Sequence, residues 1–238
     1  MKRILGIITL LLISFIFVTT VRENIIVDNK TKEITKDAIL DERKSNDFAK
    51  YYYKEDKDYY KRKEHLNPGS FCDILVTLNS NTVPPFKDLI DLTIGGHVAI
   101  CGMYYKDQYF KMLESDTIDT TFNDDYKCVS LSPKAEWDDS FLYPNYYILR
   151  VDLTEEQAYC VFNEAISMLG DPYNITFLLN TKNTHYCSDL VAKCFRKAHI
   201  NINPDFGATT VIDILASKYT HVVAYKVRKN NVDYYYTL

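Results

Sequence analysis

Apolar and polar positions along the chain fall into three zones. The first opens with Lys2 and Arg3 and runs on as an apolar stretch from Ile4 to Val21, interrupted only by Gly6, Thr9, Ser14, Thr19 and Thr20. These 18 residues lie at the short edge of what spans a bilayer and exceed a typical signal-peptide core. No small-x-small cleavage site follows, Val18-x-Thr20 being a poor match, and no cysteine ends the run, which excludes a lipoprotein anchor. Residues 1–21 therefore read as an uncleaved signal anchor, with a cleaved signal peptide as the alternative. Basic residues at the start favour a cytoplasmic N-terminus. The expected location is membrane-anchored with the domain on the extracytoplasmic side, or secreted if the segment is cleaved.

The second zone, residues 22–67, alternates charges of both signs with apolar residues too thin to fill a core. It reads as a charged, partly helical stalk, with Tyr51, Tyr52, Tyr53, Tyr59 and Tyr60 as one helical stripe. The third zone, residues 68–238, has the length and periodicity of one α+β domain. Its strand-like runs are Asp73 to Leu78, His97 to Cys101, Gln108 to Glu114, Tyr146 to Asp152 and His221 to Val227. Asp107 with Gln108 predicts a hairpin between the second and third.

Helix signals are sharper. Thr154 with Gln157 forms a capping box, and Ala158, Val161, Phe162, Ala165, Met168 and Leu169 trace a buried face that Gly170 ends. A second helix starts near Tyr186, with Cys187, Leu190, Val191, Cys194 and Ala198 on one face and Ser188 and Asp189 in the first turn. A short third helix spans Thr210 to Ser217, with a Thr-x-x-Asp cap closed by Asp213.

Composition changes the picture in two ways. The 47% hydrophobic and 25% charged residues are those of a globular protein, which excludes disorder. The chain carries 28 Lys+Arg against 32 Asp+Glu. Residues 22–67 hold 12 basic and 11 acidic side chains, which leaves 14 and 21 in the third zone, a net charge of −7. An acidic domain excludes nucleic acid as a partner. The six cysteines leave disulfides open as arithmetic.

The chemistry centres on Cys187. A thiol in the first turn of a helix sits at the positive end of the macrodipole, which favours thiolate. The unsatisfied N–H groups there can hold an oxyanion. A base is needed within reach, and His97, which follows Gly95 and Gly96 and opens an apolar strand, is the best candidate. Glu114 interrupts the apolar series Phe110, Met112 and is the choice to orient the imidazole. His185 is a reserve base. Cys194, seven residues on, reads as core. The histidines lack metal-ligand spacing, and neither a metal nor any other cofactor is expected. Asn174-Ile175-Thr176 is a glycosylation sequon whose place beside the site argues against occupancy.

The order of these motifs resembles a known family. Asp73-Ile-Leu-Val-Thr, Gly96-His97-Val-Ala-Ile, Met112-Leu-Glu114, Gly170-Asp-Pro-Tyr173 and Tyr186-Cys187-Ser188-Asp189-Leu190-Val191 look like the permuted NlpC-type papain-like cysteine hydrolases, the YiiX/YebB-like group, in which the histidine precedes the cysteine. The resemblance implies a small antiparallel barrel or curved sheet packed with helices, here preceded by an N-terminal membrane helix. It also implies catalytic Cys187, His97 and Glu114, with Tyr173 and Tyr186 at the substrate site. The implied substrates are a peptide, peptidoglycan or an acyl lipid, and hydrolysis proceeds through a Cys187 thioester. Where the group has glycine before Asp73 this chain has Cys72, so an altered turn is expected. Three other readings stay open: a thiol acyltransferase, a non-catalytic envelope domain binding a peptide or acyl lipid in the same groove, and a disulfide-stapled module.

Overall fold

The computed structural model describes residues 2–37, 39–43, 69, 71–79, 88, 91, 95–102, 116–122, 127–133, 137, 143–174, 176, 182–203, 208–230 and 232–237. The strand expected over 108–114, with Glu114 and its hairpin, and the tyrosine stripe of 51–60 lie outside the described residues.

Among the described residues eight antiparallel strands form one sheet: β1 (Ile39–Arg43), β2 (Ile74–Thr77), β3 (His97–Cys101), β4 (Asp116–Phe122), β5 (Lys127–Pro133), β6 (Asn145–Val151), β7 (Thr220–Lys229) and β8 (Val232–Thr237). Their order is β1-β8-β7-β6-β2-β3-β4-β5, so the sheet is open and not a closed barrel. Side chains alternate across it, as a two-residue period requires. Ile74, Val76, Val98, Ile100, Leu149 and Val151 enter the core shared with the helices. Leu75, Ala99, Cys101, Tyr146 and Ile148 build a second core with Trp137 on the other face. Burial on both faces explains why β2, β3 and β6 read as unbroken apolar runs. The ends of β2 and β6 are tied by a bidentate ion pair, Arg150 Nε and Nη2 donating to Asp73 at 2.8 and 2.7 Å.

Among the described residues four helices of six or more residues accompany the sheet: α1 (Lys2–Asp37), α2 (Glu155–Ser167), α3 (Cys187–Lys197) and α4 (Val211–Ala216). The Thr154–Gln157 and Thr210–Asp213 capping boxes both form as the spacing predicts. Gly170 follows α2 at φ +87°. α3 packs on β3 and against α2.

The N-terminal segments differ from the simplest expectation. The anchor–stalk boundary at residues 21 and 22 falls inside α1, which continues to Asp37. Val27 and Ile34, seven residues apart on one helical face, are buried in the main core. Thr31, on the same face, hydrogen bonds to the Tyr147 hydroxyl at 2.9 Å. β1 then pairs with β8, from Ile39 opposite Thr237 to Arg43 opposite Asp233. Two apolar residues per two turns are too few to fill a core, but they suffice to seat a helix on one that exists. Among the described residues no helix is long and apolar enough to cross a membrane. All six cysteines are free thiols, so the disulfide-stapled reading does not hold.

Candidate active site

Cys187 is the first residue of α3. The chain reaches it through a crossing of two segments that follow α2. Gly170 turns the chain, and Asp171 O accepts from Val129 N at 2.9 Å. Pro172 bridges Cys128, and Tyr173 bridges His185 in parallel. His185 N donates to Pro172 O at 3.1 Å and Asn174 N to His185 O at 3.0 Å. Tyr186 is extended at φ −104°, ψ 166°, and no side chain caps the helix it opens. Ser188 points away, its hydroxyl donating to Thr209 O at 2.8 Å. The first-turn N–H groups at Cys187 thus meet no side-chain acceptor of the cap, and they make the positive pole expected of a helix start.

Beneath this turn lies a buried polar network that sequence reasoning missed. His185 is fully buried and its Nε2 stands 3.0 Å from Asp171 Oδ2. Its Nδ1 is 3.2 Å from Lys193 Nζ and 3.7 Å from Asp189 Oδ2. Lys193 Nζ lies 2.6 Å from Asp189 Oδ2, an ion pair by distance although its angle gives that oxygen no aligned hydrogen bond. An ammonium has no acceptor, so Nδ1 faces the Lys193 donor while Nε2 faces the Asp171 carboxylate. With both nitrogens engaged and no exposure, His185 clamps the two crossing segments and is not free to serve as the reserve base. The i, i+4 spacing of Asp189 and Lys193 was the available signal; Asp171 carried none beyond its motif.

His97 is half-buried at the first position of β3, opposite Thr77. Gly96 before it donates to Thr77 O at 3.1 Å, and a Cβ on Gly96 would stand 2.1 Å from Asn79 O. The close approach that two glycines suggested is therefore real. The His97 ring stacks on Trp137 at 5.7 Å and 12°, and Tyr143 lies parallel at 6.4 Å. This places the ring with the Trp137 face of the sheet, whereas Cys187 belongs to the core of Val98 and Ile100 on the helix face. Among the described residues the Cys187 thiol makes no hydrogen bond. Glu114 lies outside the described residues.

The remaining residues fall into place. Tyr173 is half-buried. Tyr186 is buried, and burial with the nearby Asp189 carboxylate pushes its phenol far up. Cys194 is fully buried, and desolvation raises its thiol well above the usual range, as a core cysteine should be. Asn174 is buried, its Oδ1 accepting from Thr176 N at 3.0 Å and Thr176 Oγ1 at 2.7 Å. Cys72 holds the turn where a glycine was expected, in the left-handed region at φ +63°. Its thiol donates to Ala158 O at 3.3 Å. No three His, Cys, Asp or Glu side chains converge as a metal would need among the described residues.

A family model described as permuted papain-like amidase, YaeF/YiiX, C92 family, matches residues 75–213. Among solved structures, the fold resembles that of the metalloprotein YiiX from Escherichia coli O157:H7 at a TM-score of 0.50 and 15% identity. That match covers 64% of this chain and 95% of the other. No curated protein matches.

Proposed function

The chain belongs to the permuted papain-like amidase family, and on that footing we propose that it cleaves an amide or related acyl bond with Cys187 as nucleophile and His97 as base. The observation that carries this reading is the place of Cys187, at the start of a helix with no side-chain cap, packed on the strand that His97 opens. His97 takes the thiol proton and the thiolate adds to the acyl carbon. First-turn N–H groups hold the negative oxygen. As the C–N bond breaks, the imidazolium protonates the departing amine, leaving a thioester. Water, deprotonated by His97, then releases the acid and restores the thiol. In this reading the start of β3 rearranges when substrate enters, so that His97 leaves the Trp137 face and reaches Cys187, and Glu114 orients it. Tyr173 and Tyr186 flank the nucleophile and shape the substrate wall. An acyltransferase would use the same thioester with another acceptor.

Iodoacetamide labelling with mass-spectrometric site assignment tests this. At neutral pH Cys187 should react about tenfold or more faster than half-buried Cys160, since a free thiol is only a few per cent thiolate there. His97→Gln should remove that advantage and His185→Gln should not. Equal rates at Cys187 and Cys160, indifferent to His97, would instead fit a non-catalytic domain that binds a peptide or acyl lipid.

The same reading sets the protein at a membrane. Phe15, Ile16, Phe17 and Val18 are consecutive and 53–67% exposed, so apolar surface runs all the way around α1 at that turn. A protein groove covers one side of a helix, a bilayer all of it. Lys2 and Arg3 favour the cytoplasmic side for the N-terminus, with the domain outside, where peptidoglycan peptides and lipid acyl chains are within reach. A chain lacking residues 2–21 should leave the membrane fraction; its retention there would remove this part of the reading.

A further inference from the structure

α4 is a six-residue helix whose two ends touch different parts of the molecule. At its N-terminal end, Thr209 O accepts from Ser188, and Thr209 backbone also hydrogen bonds to the Tyr186 side chain. Those two residues flank Cys187. A Cβ on Gly95, two residues before His97, would lie 2.8 Å from Val211 Cβ. One end of α4 is therefore wedged between the segment that carries the nucleophile and the segment that carries the base.

The other end meets α1. Lys30 Nζ donates to Leu215 O at 2.8 Å, Ser217 O at 2.8 Å and Thr220 O at 2.5 Å. It also reaches Thr220 Oγ1 at 3.1 Å. These are carbonyls at and just beyond the C-terminus of α4, the negative pole of that helix. Burial holds the Lys30 ammonium down to about 8, with Glu33 opposing. An ammonium is a costly way to attach a helix that Val27 and Ile34 already seat through apolar contact. Apolar contact is non-directional and lets a helix slide, whereas four converging oxygens fix a position.

We infer that Lys30 is a positioning residue for the Cys187 site, clamping the carbonyl end of α4 so that its other end holds the Gly95–His97 and Tyr186–Ser188 segments at working separation. The inference rests on the hydrolase reading and adds to it a coupling between the N-terminal helix and the site. A displacement of about 1 Å at reacting groups costs up to a hundredfold in rate. Loss of the clamp is thus read in the reactivity of Cys187 before it is read in unfolding.

The test uses the full-length chain in mild detergent and the iodoacetamide rate at Cys187. Lys30→Ala should lower that rate about tenfold, and added methylammonium, an ammonium sized for the vacated oxygens, should restore it. Thr154→Ala, which removes the cap of α2 far from α4, should leave the rate unchanged at a comparable loss of stability. Lys30→Met keeps the aliphatic stem and reads the same way should the alanine variant not fold. The inference is overturned if the Lys30 variants label at the wild-type rate, if methylammonium restores nothing, or if Thr154→Ala lowers the rate equally. A wild-type thiol that is slow and indifferent to His97→Gln overturns the hydrolase reading and this inference together. A fast, His97-dependent thiol unchanged by Lys30→Ala overturns this inference alone.

Discussion

Single residues show where this chain departs from what its backbone asks. Cys72 sits at φ +63°, a region that costs an L-residue about 1–2 kcal/mol and glycine nothing. The turn that glycine would make is kept because Cys72 N donates to Cys101 O at 3.1 Å and the following Asp73 is locked by Arg150. Cys194 is an equally buried thiol, but within α3. Replacing each by glycine removes the same side chain and reverses the backbone term. Cys72→Gly should therefore be more stable than Cys194→Gly by about 2 kcal/mol, the sum of relieved strain at one site and lost helix propensity at the other. Urea unfolding midpoints of the two variants measure it, and equal midpoints would mean the turn at residue 72 is unstrained. His185 shows the reverse case, in which the residue was visible in the sequence and its partners were not. Its clamp on Asp171 depends on a crossing of loops that no local period encodes.

At the level of elements, what could be read from the sequence was what local chemistry decides. The capping boxes at Thr154 and Thr210 mark α2 and α4, and the start of α3 at Cys187 follows from its face of Leu190, Val191 and Cys194. β2, β3, β6 and β7 announce themselves by β-branched and aromatic runs. β4 and β5, with Asp116-Thr117-Ile118-Asp119 and Ser130-Leu131-Ser132, carry no such signal and exist because they pair with each other and β4 pairs with β3. β1 and β8 are joined across almost the whole chain, a non-local pairing that periodicity cannot predict. The glycines before His97 were legible as a close approach but not as to what they approach. Gly96 leaves no room beside Asn79 O, a backbone atom that cannot yield without parting β2 from β3. Gly96→Ala should therefore abolish the His97-dependent part of Cys187 labelling. Gly170→Ala, where nothing lies within 4 Å, should strain only its own turn and leave the labelling intact. Retained His97 dependence in Gly96→Ala would mean that the strand start tolerates the shift.

For the whole molecule, the question is whether α1 is an appendage or part of the body. Its apolar half is exposed through Phe15, Ile16, Phe17 and Val18, while Val27 and Ile34 are 6% and 2% exposed in the main core. In proteins a helix is held mainly by the packing of its apolar face rather than by its own propensity, so the seats decide the balance. Burying a valine and an isoleucine is worth roughly 2 kcal/mol each, and the Lys30 and Thr31 contacts add direction more than energy. Deleting residues 2–21 should thus leave the urea midpoint of the domain unchanged. Deleting residues 2–37 should lower stability by about 4 kcal/mol, a large share of the 5–15 kcal/mol typical of a domain. Equal midpoints for the two deletions would make α1 a passenger on the sheet. A fall confined to the longer deletion makes residues 22–37 a structural part of the domain, so that a segment expected as a charged tether is what joins the apolar half of α1 to the body that holds Cys187.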